Sequence, residues 1–143
     1  MKKYTLGFLF SKDLKKVLLI HKNRPEWQAG KINGLGGKIE ENETPKDCIT
    51  REVKEETSLT TKNKDWHLVG TLHSSFFETS VLCAQYQNSF GQEESTTDEI
   101  IEWFSVKDLP TNIMSNLSWL IPLCLDSIQN IKEPFSIEVQ YDI

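Results

Sequence analysis

Three glutamates, Glu52, Glu55 and Glu56, are crowded into the stretch REVKEETSL, directly after the glycine-rich segment GLGGK at positions 34–38. On a helix, with Glu52 as origin, Cys48 and Glu56 lie about 40° to either side and Glu55 about 60° away on the Cys48 side. Ile49 and Val53 lie about 60° and 100° away on the Glu56 side. The carboxylates therefore border the stripe that must face a core, whereas Asp47, Thr50 and Lys54 occupy the opposite face. A glutamate-rich helix with Lys and Arg interspersed is ordinarily a solvated surface, but this position is not the wet one. Neighbouring carboxylates on a helix stand ~5–6 Å apart and repel by roughly 3 kcal/mol at an effective dielectric near 20, against under about 1 kcal/mol in bulk water. Half-buried, the cluster calls for a cation. A carboxylate set suits a hard ion, Mg²⁺ with Mn²⁺ as a substitute, rather than zinc, and magnesium commonly bridges protein carboxylates to substrate phosphates. At Gly34, Gly36 and Gly37 the backbone can turn tightly and bring a carbonyl or N–H to metal or phosphate; a plain turn is the other use of the same glycines.

The spacing of Gly37, five residues, Glu43, seven residues, Arg51-Glu52-Val53, one residue, Glu55-Glu56 resembles the Nudix box of the Nudix hydrolase superfamily. That signature ends in Gly and an aliphatic residue, whereas here Ser58 precedes Leu59. The turn departs from the pattern while every carboxylate remains. The resemblance implies an α/β fold, an α/β/α sandwich with a mixed sheet between helices, and hydrolysis of a nucleoside diphosphate linked to another group. It implies that Glu52, Glu55 and Glu56 hold divalent metal together with the Gly36 carbonyl, with Glu52 the first choice as base toward the attacking water. Arg51 and Glu43 are then structural, Arg51 fixing a box carboxylate from behind.

Beyond the box, WQAGKINGLGGKIEENETP, TTDEIIEWFSVKDLP and WLIPLCL are similar in layout to the MutT-type enzymes that sanitise oxidised purine nucleoside triphosphates. This resemblance implies conversion of a purine nucleoside triphosphate, with 8-oxo-dGTP a candidate, to monophosphate and pyrophosphate. It sets Glu99 near the metals as a further ligand or base, with Asp98 the adjacent alternative. Lys38 and Arg24 are candidates for the phosphates. Asn33 and Asn116 are candidates for a base edge, although an Asn before Gly34 equally forms a turn. The mammalian sanitisers carry a Trp and an Asp pair where this chain has Met114, Asn116 and Leu117, which departs from their base-reading set. Trp27, Phe76 and Phe77 offer stacking surfaces, against the usual core role of aromatics flanked by strands. The runners-up are hydrolysis of a nucleotide sugar or dinucleotide, and a noncatalytic nucleotide-binding module. The segment TTKNKDWHLVGTLHSSFF lacks the marks of the NADH, ADP-ribose and dinucleoside polyphosphate branches, and a mere sensor would ordinarily have lost its carboxylates.

These residues need a scaffold. Apolar, β-prone runs at 3–10 and 16–21 predict two strands joined by a turn, followed by a loop, NRPEWQAGKINGLGG. Thr44, Pro45 and Asp47 predict a helix start, and the helix should run to about Thr57. After the polar connector TTKNKD, the runs WHLVGTLHSSFF and TSVLCAQYQ predict a hairpin around Glu78, and IIEWFSV a further strand. Residues 117–131 have helical spacing, with Pro122 implying a late start or a kink, and FSIEVQY predicts a last strand.

The chain of 143 residues, 38% hydrophobic and 26% charged, fits one domain over 1–143. A net charge of -5 argues against a nucleic-acid polymer or an anionic membrane as partner; the resemblance implies a nucleotide substrate, and a monomer or homodimer is expected. Cys48, Cys83 and Cys124 form neither a CxxC pair nor a disulfide framework, which fits a reducing cytoplasm. The N-terminal apolar run is too short for a signal peptide, and no stretch approaches the roughly 20 apolar residues needed to span a bilayer. His21, His67 and His73 show no ligating spacing and are read as strand or surface residues.

Overall fold

The computed structural model describes residues 1–88, 91–130 and 133–139. Among them, one mixed sheet contains β1 (Lys2–Phe10), β2 (Lys16–His21), β3 (Ile32–Asn33), β4 (His67–His73), β5 (Phe77–Gln85), β6 (Ile101–Ser105) and β7 (Phe135–Glu138). Helices α1 (Pro45–Thr57) and α2 (Leu117–Gln129) cover its two faces. Strand β1 is the axis. One edge runs parallel to β5 along its whole length. The other pairs antiparallel with β2 at Leu9 and Phe10, and with a strap at 35–38 through Gly7–Leu35 and Tyr4–Lys38. Strand β2 carries β6 on one edge and shares the other between β1 and β3, because Leu18 pairs with both Leu9 and Trp103 and Ile20 with both Asn33 and Ile101. Strand β4 lies antiparallel to β5 and parallel to β7.

Side chains alternate across the pleat. Leu6, Phe8 and Phe10 of β1 join Leu117, Leu120, Ile121 and Cys124 of α2 in one core. Leu9 joins Leu18, Ile20 and Leu82 beneath Ile49 and Val53 of α1 in the other. Each such side chain contributes about 1.5–3 kcal/mol when fully buried, so both helices are held by their apolar stripes. The α/β/α sandwich implied by the resemblance is the observed architecture.

Helix α1 starts as its sequence predicts. Asp47 N donates to Thr44 Oγ1 at 3.1 Å, Thr44 N donates to Asp47 Oδ2 at 2.9 Å, and Pro45 takes the first helical position. It ends at Ser58 with a left-handed φ of 58°.

Four expectations change. The hairpin turns at Ser74–Phe76 rather than around Glu78, because Ser74 Oγ accepts from the N–H groups of Phe76 and Phe77 at 3.2 and 3.1 Å. Glu78 is instead a strand residue opposite His73. The segment read as a loop contains a 3-10 turn at Glu26–Gln28, closed by local bonds to Pro25, together with strand β3 and the strap, which are held by pairing to distant residues. Pro122 neither delays α2 nor ends it: the helix starts at Leu117, and the Ser118 carbonyl that Pro122 leaves without an intrahelical donor belongs to an exposed residue. The polar connector folds into a 3-10 turn at Asn63–Asp65. The expected helix end at Ile131 and the final strand residues Gln140 and Tyr141 lie outside the described residues.

Candidate active site

Arg51 organises the acidic side of α1. Its Nε and Nη2 grip both oxygens of Glu43 at 2.6 and 3.0 Å, and Nη1 reaches Glu52 Oε1 at 3.0 Å and Glu55 Oε2 at 3.2 Å. Nη2 also donates to the Lys38 carbonyl at 3.2 Å, tying the helix to the strap. The hydrogen bonds from Arg51 hold the Glu43 carboxyl below the usual range. A fork that grips one carboxylate in two places leaves little rotamer freedom, so Glu52 inherits a fixed neighbour.

The strap brings backbone against those acids. Gly36 adopts φ 132°, a conformation that side-chain-bearing residues avoid, and turns its N–H onto Glu56 Oε1 at 2.9 Å. A Cβ at Gly37 would stand 2.6 Å from Glu52 Cδ, so the glycine leaves the room in which that carboxylate now lies. Thr5 pins the strap through Thr5 N to Gly37 O at 2.8 Å, and its hydroxyl meets the buried Cys48 thiol at 3.3 Å. Cys48 is the core residue its position predicts, with burial raising its pKa to about 11.

Burial sets the electrostatics. Glu56 is 8% exposed, and desolvation, with Glu52 and Glu99 adding to it, pushes its carboxyl up to about 8 against the Gly36 N–H and Lys22. Desolvation also raises Glu52, while Arg51 opposes the shift. Glu99 is buried as well, yet there the donors outweigh desolvation and hold it below the usual range. They are Asn23 N at 2.7 Å, Lys22 Nζ at 3.0 Å and Arg24 N at 3.2 Å. Asp98, the alternative to Glu99, is exposed and binds Arg24 Nη2 at 2.6 and 2.8 Å. Glu99 is thus the one of the two that shares an electrostatic environment with Glu56.

The remaining candidates are placed unevenly. Arg24 is committed to Asp98, with Nη1 3.9 Å from Glu99. Asn33 donates to Gln28 Oε1 at 3.0 Å and accepts from Gly34 N at 2.8 Å, so its amide is engaged locally. Asn116 precedes α2 and makes no capping bond; its Oδ1 is buried without a hydrogen-bond partner among the described residues. Trp27 and Phe76 are 62% and 63% exposed, which corrects the core role expected of them: the 3-10 turn and the hairpin tip carry them off the sheet. Phe77 is half-buried, edge-on to Tyr4. Lys38 and Phe76 line one open groove of about 810 Å³ beside Glu43. Lys22 and Asn23 were missed. Nothing in HKNR distinguishes them, and only the approach of residues 98–99 reveals their role.

Among the described residues no three His, Cys, Asp or Glu side chains stand grouped to hold a metal. The reason is local: Arg51 draws Glu52 and Glu55 to one side, and the Gly36 N–H holds Glu56 on the other. The donor set still fits a hard divalent ion. It is all oxygen, the Gly36 carbonyl accepts no hydrogen bond from the described residues, and the buried Glu56 lacks enough positive charge to ionise at its ordinary pKa. Glu55, with a side chain 56% exposed, sits at the outer margin.

Residues 2–123 match the model of the NUDIX domain. An oxidized purine nucleoside triphosphate hydrolase of Danio rerio is 32% identical over 116 residues, covering 77% of this chain and 72% of that protein. A NAD-capped RNA hydrolase NudC of Pseudomonas putida is 34% identical over 88 residues, 60% of this chain; the match spans 31% of that relative's length. Among solved structures, an ADP-ribose pyrophosphatase from Streptococcus suis superposes with a TM-score of 0.71 at 21% identity, covering 96% of this chain and 98% of that one. A MutT NUDIX hydrolase from Burkholderia pseudomallei superposes with a TM-score of 0.71 at 19% identity, covering 85% and 96%. At such identities the solved structures speak for the fold alone.

Proposed function

The chain belongs to the Nudix family, and we propose that it is a hydrolase of phosphoric anhydride bonds that converts a purine nucleoside triphosphate to monophosphate and pyrophosphate with Mg²⁺. One observation carries the reading: the buried Glu56 and the half-buried Glu52 lie against a glycine strap whose backbone and missing side chains make room for them. Glu52, Glu56 and the Gly36 carbonyl would hold the metal, with Glu55 and Glu99 at its margin. Bound there, magnesium supplies Lewis acidity toward the phosphate oxygens and the attacking water.

The chain's own groups do the rest. Glu52 accepts the proton of the attacking water, its carboxyl raised by burial and held in place by Arg51. Lys38 offers charge to the phosphates, whereas Arg24 would have to give up Asp98 to do so. The buried Asn116 Oδ1, without a partner among the described residues, is an acceptor that would suit a base N–H. Trp27 and Phe76 supply exposed aromatic faces. The relative that matches on both sides of the box also acts, by its name, on oxidized purine nucleoside triphosphates.

The test is pyrophosphate release. Purified protein with Mg²⁺ or Mn²⁺ is given normal and oxidised nucleoside triphosphates, a nucleotide sugar and a dinucleotide. We expect pyrophosphate from a purine triphosphate, and a loss on the order of 10³-fold in Glu52→Gln with an unchanged circular dichroism spectrum. Silence across the triphosphates, or turnover that survives the substitution, ends the reading.

A further inference from the structure

In an antiparallel ladder the two residues of a hydrogen-bonded pair exchange both N–H to carbonyl bonds, and Gly7 and Leu35 do so at 2.6 and 2.9 Å. Two residues along each chain, Thr5 and Gly37 break the rule. Thr5 N donates to the Gly37 carbonyl at 2.8 Å, but the return bond from Gly37 N runs to Thr5 Oγ1 at 3.3 Å. Gly36 makes the detour possible, because its φ is 132° and a Cβ there would collide with the Thr5 carbonyl. The hydroxyl is not free to turn elsewhere. Thr5 is 5% exposed, and its Oγ1 lies 3.3 Å from the thiol of the fully buried Cys48 and 3.3 Å from the Gly37 carbonyl. The same thiol stands 3.7 and 3.6 Å from the carbonyls of Gly37 and Lys38, so Thr5 and Cys48 together hold the strap at one joint.

The Gly36 carbonyl occupies the other edge of the peptide unit that Thr5 grips. A trans peptide is planar, with its C=O and N–H pointing in opposite directions, so whatever fixes the Gly37 N–H also fixes the Gly36 carbonyl. That carbonyl points away from Thr5 and accepts no hydrogen bond from the described residues. Resting on the Nudix reading, we propose that Thr5 is a positioning residue, whose hydroxyl, seated against Cys48, sets the direction of the Gly36 carbonyl offered to the divalent metal. A carbonyl left free to rock would have to be ordered when the ion binds, and that cost would be subtracted from affinity. Here the fold has already ordered it. Strand β1 thereby acts on a ligand set whose carboxylates come from α1.

The experiment compares wild type with Thr5→Val, Thr5→Ala and Thr5→Ser by two readings. One is calorimetric titration of Mn²⁺ into nucleotide-free protein, and the other is hydrogen exchange at the Gly37 amide in ¹⁵N-labelled, metal-free protein. Without the hydroxyl, Thr5→Val should bind Mn²⁺ weaker by on the order of tenfold. Its Gly37 N–H should exchange faster by a similar factor, while the amide of the core residue Leu82 exchanges as in wild type. Thr5→Ala should show the same pair of changes and serves if the Val variant folds poorly. Thr5→Ser, which keeps the hydroxyl, should stay within about threefold of wild type in both readings. A merely structural threonine predicts instead faster exchange along all of β1 with an unchanged Mn²⁺ affinity of the folded protein. Wild-type Mn²⁺ affinity in Thr5→Val and Thr5→Ala, or a loss in Thr5→Ser as large as theirs, overturns the role of Thr5 while leaving the family reading intact; no Mn²⁺ uptake by wild type overturns both.

Discussion

Glu56 gives the sharpest physical test, because burial carries its carboxyl from 4.5 to about 8 in the metal-free chain. The folded protein then holds a proton that the unfolded chain releases throughout the interval between those values. The stabilisation from that proton is complete below 4.5 and is lost as pH rises through about 8. At roughly 1.4 kcal/mol per pH unit, charging the buried group costs roughly 3 kcal/mol by pH 7 and roughly 5 kcal/mol above pH 8. Glu56→Gln keeps an acceptor for the Gly36 N–H, 2.9 Å away in the parent, and removes the titration. For a chain of this size each kcal/mol moves the melting temperature by about 2–4 °C. Melted in excess chelator, the Gln variant should therefore gain on wild type by roughly 5–10 °C between pH 5 and pH 7.5. Added Mg²⁺ should close most of the gap at pH 7.5, because the ion binds the charged form and the variant lacks that charge. Parallel melting curves across this range, with or without chelator, would refute the argument that the cluster carries an uncompensated buried charge.

Two further substitutions separate geometry from stability. Gly37→Ala places a methyl group against the Glu52 carboxylate; because the side-chain end can swing aside, we expect a melting shift below about 2 °C but a fall in kcat/KM on the order of 10²-fold, and unchanged turnover would show that the Glu52 position is not critical. Ser58→Gly relieves a left-handed φ of 58° at the end of α1 and should stabilise by about 0.5–1 kcal/mol in thermal melts, whereas destabilisation would mean that the Ser side chain makes a needed contact.

The acidic helix was legible before any fold was known. Its cap joins Thr44 to Asp47 three residues away, its termination lies in the next turn, and the angular order of Cys48, Glu52 and Glu56 follows from helical pitch alone. Such features are set by near neighbours, so residue types and spacing suffice to read them. The strap was read only as glycines, since its pairing to Tyr4 and Gly7 is a matter of sheet register. The hairpin turn was misplaced because Ser74 caps it through a side-chain bond that a hydrophobic pattern does not encode. Composition left Asp98 and Glu99 equivalent, and made Lys22 one lysine among many. Their roles depend on contacts across 74 to 77 residues. Pairing β6 beside β2 buries one acid with its lysine and leaves the other in solvent. Local chemistry thus determined the carboxylates and the helix that presents them. Which charges share a desolvated space with them was decided only when distant strands came together, because desolvation belongs to the assembled surface and not to any one segment.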